Sequence, residues 1–160
     1  MEAVKLAGLE PASVFAYFEK LCSMPHGSGN TKIISDWLVS FAREQGIRYI
    51  QDELNNVILF GDASEGYEDH EPVIIQGHMD MVCEKDPECP INFDTDGLDI
   101  THDGQYVFAN GTTLGGDDGI AVAYARGTCP ICGRKRVKLV WTIKDNNGNN
   151  LNVCKKCSIS

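Results

Sequence analysis

Three groups of residues have the types and spacing to do chemistry. The first is His78-Met79-Asp80, near the end of the apolar run PVIIQGHMDMV, residues 72–82. In an extended chain, residues i and i+2 share a face. Asp80 can then accept from one imidazole nitrogen of His78, fix its tautomer and leave the other nitrogen for a metal. A solvated His-Asp pair capping a strand end uses the same residues and is the plainer reading of the motif alone. The second group is Gly115-Gly116-Asp117-Asp118-Gly119. Consecutive carboxylates in a glycine-rich turn repel one another unless a cation lies close, and their hard oxygens suit zinc and other divalent ions. At a helix N-terminus the same pair simply complements the dipole. The third group is Cys129-Pro130-Ile131-Cys132 and Cys154-Lys155-Lys156-Cys157, with 21 residues between the pairs. Two such knuckles at that separation enclose one tetrahedral zinc, with Gly133 suited to the tight turn after the first. A redox pair or incidental thiols is the alternative.

Each group needs elements to hold it. After Pro11, which a first helical turn tolerates, Val14, Phe15, Phe18, Leu21 and Cys22 recur at helical spacing. SMPHGSGN reads as a loop. Asn30 or Thr31 caps a second helix whose apolar face is Ile33, Ile34, Trp37, Leu38 and Phe41, and Gly46 ends it. IRYIQDELNNVILFG predicts two strands joined by a polar turn through 52–56, followed by an acidic loop over 61–71. The continuous apolar run at 72–82 predicts a strand inside a sheet covered on both faces. Residues 84–96 are irregular. LDITHDGQYVFA predicts a hairpin turning at Asp103-Gly104. NGTTLGGDDG is a loop, with the sequon-like Asn110-Gly111-Thr112 a turn, and IAVAYA starts a helix. VKLVWTIKD and NNLNVC predict strands around the turn 146–149. Helices with a buried strand imply an α/β fold for residues 1–125, followed by a small β zinc ribbon over 126–160.

Charge divides at the same place. Residues 126–160 hold eight Lys/Arg and one acid, a net +7, whereas 1–125 hold six basic and twenty-two acidic residues, a net −16. The basic segment has the charge to contact phosphates. Four thiolates around one zinc remove about two of those charges, and Trp141 is its one aromatic residue, so a base-stacking surface is thin. Cys22, Cys83 and Cys89 are scattered and read as buried or incidental thiols. No run approaches the ~18 apolar residues of a membrane span. MEAVKLAGLEP lacks a basic flank followed by an apolar stretch, so a cytoplasmic location is expected.

Taken in order, QGHMDMV followed by NGTTLGGDDGIAVAYA resembles the co-catalytic zinc peptidases of the aminoacyl-histidine (Xaa-His) dipeptidase family. VFAYFEKLCSMPHGSGNTKIISDWL is similar to the opening of that family, and the resemblance spans nearly all of 1–125. It implies that His78 ligates one zinc, that Asp80 orients His78, that Asp117 bridges both zincs and that the Asp117–Asp118 peptide is cis. Two such metals activate a shared water and polarise the substrate's peptide carbonyl. The family also needs a downstream Glu-Glu pair, a further acidic ligand, a final His and an inserted dimerisation domain. After Asp118 this sequence holds one acid, Asp145, with no Glu and no His. His26, His70 and His102 read as surface or loop histidines.

The expectation is a truncated peptidase front end, 1–125, joined at 126 to a zinc-ribbon module, its last helix cut short by residues 126–128. Such a chain hydrolyses no dipeptide alone, a dipeptide being its substrate only if the site is completed elsewhere. The alternative is a ribbon that binds nucleic acid or protein, with the acidic segment as passenger. A mixed sheet stopping after its early strands also leaves an edge unpaired, making 1–125 marginal or aggregation-prone.

Overall fold

Local sequence signals become local structure almost everywhere they are strong. The computed structural model describes residues 5–63, 66–125, 141–144 and 150–153. Helix α1 spans Ala12–Cys22 and buries Val14, Phe18, Leu21 and Cys22, with Pro11 as its N-cap. Helix α2 spans Lys32–Glu44 and buries Ile34, Leu38, Val39, Phe41 and Ala42. Ile33, expected on that face, is instead exposed, because the buried stripe runs through Ile34, Leu38, Phe41 and Ala42. Thr31 is the N-cap of α2 but makes no side-chain cap bond. At the other end Gly46 has φ 64°, and Gly46 N and Ile47 N close on the carbonyls of Arg43 and Ala42. That is the left-handed ending expected of a glycine just past a helix.

Strands β1 (Arg48–Gln51) and β2 (Val57–Phe60) form an antiparallel hairpin, Gln51 opposite Val57. The Asp52 carboxylate ties its turn, accepting from the backbone N–H groups of Leu54 and Asn56. Strands β3 (Ile100–His102) and β4 (Val107–Ala109) form a second hairpin. There Asp103 accepts from the N–H groups of Gln105 and Tyr106. Aspartate bonding its own backbone two or three residues on is the local device that makes such turns. Helix α3 runs Gly116–Tyr124 and buries Gly119 and Ala123. Strands β5 (Trp141–Lys144) and β6 (Asn150–Val153) pair antiparallel, within the stretches where ribbon strands were expected. The four cysteines Cys129, Cys132, Cys154 and Cys157 lie outside the described residues.

The main core joins α1 to α3 and to the β3–β4 hairpin through Val14, Phe18, Cys22, Met81, Leu98, Ile100 and Ala123. Full burial stabilises each large apolar side chain there by about 1.5–3 kcal/mol. A satellite cluster of Phe41, Ala42 and Ile47 fixes α2 against the first hairpin. The chain is α/β by content, built of helices and antiparallel hairpins.

One expectation fails. Residues 72–80 form no strand, and Val73, Ile74 and Ile75 are 87%, 88% and 69% exposed. A strand needs neighbours to take its N–H and C=O groups. Each described sheet has only two strands, and none lies beside this run. Regular pairing begins only at its end, where Met81 bridges Gly27 in parallel. Among the described residues, no helix is long and apolar enough to cross a membrane.

Candidate metal centre

The site forms where the end of the 72–82 run meets the start of α3. Met81 anchors the run: it is 3% exposed, its N–H donates to the His26 carbonyl, and its carbonyl accepts from Ser28 N–H. This pairing requires close backbone approach. A Cβ on Gly27 would sit 2.6 Å from Cys83 Sγ. On the other side Gly115, with φ 69°, is the N-cap of α3, and a Cβ there would sit 2.9 Å from Met81 Cβ. Asp117 and Asp118 follow with non-helical dihedrals, and the peptide between them is cis, as the resemblance implied.

His78, Asp117 and Asp118 converge. One ligand atom from each lies within 4.8 Å of the others, the one such group of three or more His, Cys, Asp or Glu among the described residues. His78 Nδ1 lies 2.9 Å from the Asp80 carbonyl and 3.2 Å from Asp80 Oδ1. Both are oxygens, so Nδ1 carries a hydrogen, and in the neutral ring Nε2 keeps its lone pair. Nε2 faces Asp117 Oδ1 at 3.4 Å. The His78 backbone N–H points at Asp118 Oδ2, 3.4 Å away. Ser28 Oγ donates to Asp80 Oδ2 at 2.6 Å.

The electrostatics follow from these contacts. The bond to the Asp80 carbonyl raises the His78 pKa above the ordinary histidine value. The nearby carboxylates of Asp118, Asp80 and Asp117 add to this, against a smaller opposing effect of desolvation. Asp80 is held below the usual carboxylate range, first by the Ser28 hydroxyl and also by His78. A neutral Nε2 and a carboxylate oxygen in contact repel through their lone pairs. A proton on the ring or a cation beside both atoms removes the conflict. The donor set, one imidazole nitrogen and two carboxylates, fits a divalent ion of the zinc or manganese type.

Sequence reasoning had His78, Asp80 and Asp117 in view, and the structure brings all three together. It did not single out the approach of Asp118 to the His78 backbone, nor Ser28, whose partner lies 52 residues away. His26, read as a surface or loop histidine, lies in the loop between α1 and α2 but not at the surface. That ring is 2% exposed, its Nδ1 bonds the Met24 carbonyl at 2.7 Å, and burial pushes its pKa down. Backbone pairing of residues 26–28 with Met81 carries the ring inside, and no local spacing signals that. His70 is exposed against Tyr67, and His102 lies half-buried in β3.

Over 121 residues, 76% of the chain, the sequence is 36% identical to the cytosol non-specific dipeptidase of Escherichia coli (strain K12) and covers 25% of it. By class, the chain has the ancestry of the dipeptidase-family hydrolases over that portion. More narrowly, its fold matches the crystal structure of aminoacylhistidine dipeptidase from Vibrio alginolyticus. The TM-score is 0.71 at 36% identity, over 74% of this chain and 24% of that one. The chain thus spans about a quarter of the length of these relatives. Residues 123–160 match the family of a zinc finger-like domain.

Proposed function

We propose that this chain carries part of a dipeptidase metal centre, held in binding geometry but without the groups that complete hydrolysis. His78 Nε2 and the Asp117 carboxylate hold a divalent cation such as zinc, Asp118 lies close enough to assist, and Asp80 keeps His78 in the required tautomer. The observation that carries this reading is the convergence of His78, Asp117 and Asp118, whose ligand atoms lie within 4.8 Å of one another. A cation bound there would polarise a peptide carbonyl and lower the pKa of a bound water. The rest of the reaction needs a base to take the water's proton. Past Asp118 the sequence offers one acid, Asp145, no Glu and no His. With no counterpart there of the Glu pair that the resemblance implies, these residues alone are expected to turn over no dipeptide. Asp117 is 92% exposed on its side chain, so an ion bound there would stay open to water and be held weakly.

In the second unit, which meets the first near residue 126, Cys129, Cys132, Cys154 and Cys157 hold a structural zinc as a ribbon. The metal supplies much of that module's folding energy. The family match at 123–160 supports this assignment, and the cytosolic label of the relative supports a cytoplasmic location.

The experiment is an assay of the purified chain, loaded with zinc or manganese, against an Xaa-His dipeptide. No turnover above a metal-free control is expected, and sustained turnover would overturn the reading. Zinc stoichiometry tests the ribbon: about one tightly held zinc, lost on Cys129→Ser or Cys154→Ser. A second reading, a nucleic-acid-binding ribbon, is favoured by the net +7 of residues 126–160. It expects a mobility shift with nucleic acid that weakens steeply as salt rises.

A further inference from the structure

Asp80 has two carboxylate oxygens, and the structure gives each a different partner. Oδ1 lies 3.2 Å from His78 Nδ1, which also bonds the Asp80 backbone carbonyl at 2.9 Å, while Oδ2 accepts from Ser28 Oγ at 2.6 Å. The Asp80 side chain is one-third exposed, so without a second tether its carboxylate is free to rotate toward water. Ser28 is itself well placed to be that tether. Its backbone N–H donates to the Met81 carbonyl at 3.1 Å, which fixes its Cα next to the residue following Asp80. The close fit of Gly27 against Cys83 Sγ brings the loop to this distance. Ser28 Oγ also lies 3.3 Å from the Met81 carbonyl. A hydroxyl has one hydrogen to give, and the shorter, charged partner takes it.

We propose that Ser28 is a positioning residue for the metal centre. Its hydroxyl holds the Asp80 carboxylate against Nδ1 of His78, where it acts together with the Asp80 carbonyl to present His78 Nε2 beside Asp117 for a divalent cation. This rests on the reading of His78 and Asp117 as ligands given above. Outer groups of this kind orient the ligand ring, and their loss typically weakens metal binding about 10–100-fold. Ser28 acts through Asp80 and is one bond further from the ring, so the lower end of that range applies.

The test uses the full chain and Mn²⁺, whose preference for nitrogen and oxygen donors keeps it off the four cysteines. Loss of the free-ion electron paramagnetic resonance signal reports binding. Ser28→Thr and Ser28→Val have nearly the same shape, but only Thr keeps the hydroxyl. Thr is expected to hold affinity close to the parent, while Val weakens it roughly 10-fold. A purely steric role would move both variants together. Circular-dichroism melts of the two check that both are equally folded, and neither substitution touches the backbone bonds to Met81.

Equal affinities for Thr and Val, with binding still lost in His78→Ala, would overturn the role of Ser28 while leaving the metal centre intact. Parent binding that His78→Ala and Asp117→Ala leave unchanged would overturn the centre itself, and Ser28 with it.

Discussion

The two sides of the metal centre rest on unlike foundations. Asp117 and Asp118 open α3, whose Gly119 and Ala123 are buried against α1; a Cβ on Gly119 would lie 3.2 Å from the Phe18 ring. His78 and Asp80 close a run whose Val73, Ile74 and Ile75 stand in solvent and whose backbone has no strand beside it among the described residues. One side inherits the rigidity of a helix-on-helix core. The other is held at its far end, by Met79 against Leu21, Met24 and Ile34, by Met81 and the 26–28 loop, and by the Asp118 carboxylate. The contrast shows that convergence of ligands does not require both supporting elements to be complete. A few contacts at the end of an open run suffice to aim an imidazole.

The largest effect comes from breaking the well-founded side. Phe18→Ala removes a ring that is 2% exposed at the meeting of α1 and α3. It should cost about 3–5 kcal/mol, read as a fall in the urea midpoint together with loss of Mn²⁺ binding. If the midpoint holds, α3 is not seated as described. Gly115→Ala attacks the junction between the two sides. It forces an L-residue into a left-handed backbone and drives its Cβ toward Met81. A loss of about 1–3 kcal/mol is expected, with weaker metal binding measured on the fraction that remains folded.

Alkaline pH probes the same core more gently. Burial pushes the Cys22 thiol up to about 12, with Glu19 adding to the effect. A folded-state pKa raised above the unfolded value favours the neutral, folded form. The stabilisation is full below about pH 9 and is lost as pH rises toward about 12. Urea midpoints should therefore fall across that window, and more shallowly in Cys22→Ala. Equal slopes would show that the thiol is not buried.

The smallest expected change in stability belongs to the open run. Ile74→Lys alters a side chain that is 88% exposed and should move stability by no more than about 0.5 kcal/mol. Light scattering of the concentrated protein should drop sharply, because exposed β-branched runs with free backbone groups are templates for self-association. Unchanged scattering would mean that this run is not the sticky surface.

What could be read from sequence divides along the same line. Helices α1 and α2, the hairpins β1–β2 and β3–β4 and the turn aspartates Asp52 and Asp103 are specified by residues within a few positions of each other. Periodicity and side-chain-to-backbone bonding therefore reveal them. His78, Asp80 and Asp117 were visible because imidazole and carboxylate types announce their chemistry. The state of residues 72–80 was not, since an apolar β-branched run looks alike whether or not strands flank it. Ser28 and the buried His26 were equally hidden. Their environment comes from pairing with Asp80 and Met81, more than fifty positions along the chain.

Those separations also impose an order in time. A chain emerging from the ribosome N-terminus first exposes Ser28 long before Asp80 exists, 52 residues later. His78 in turn precedes by 40 residues the Asp118 carboxylate that meets its amide. The interval between them is when the 73–75 run is out and its anchors are only half made. Translation speed through residues 80–118 thus sets how long that run, which stays exposed in the finished fold, is also without its anchors and free to meet other nascent chains.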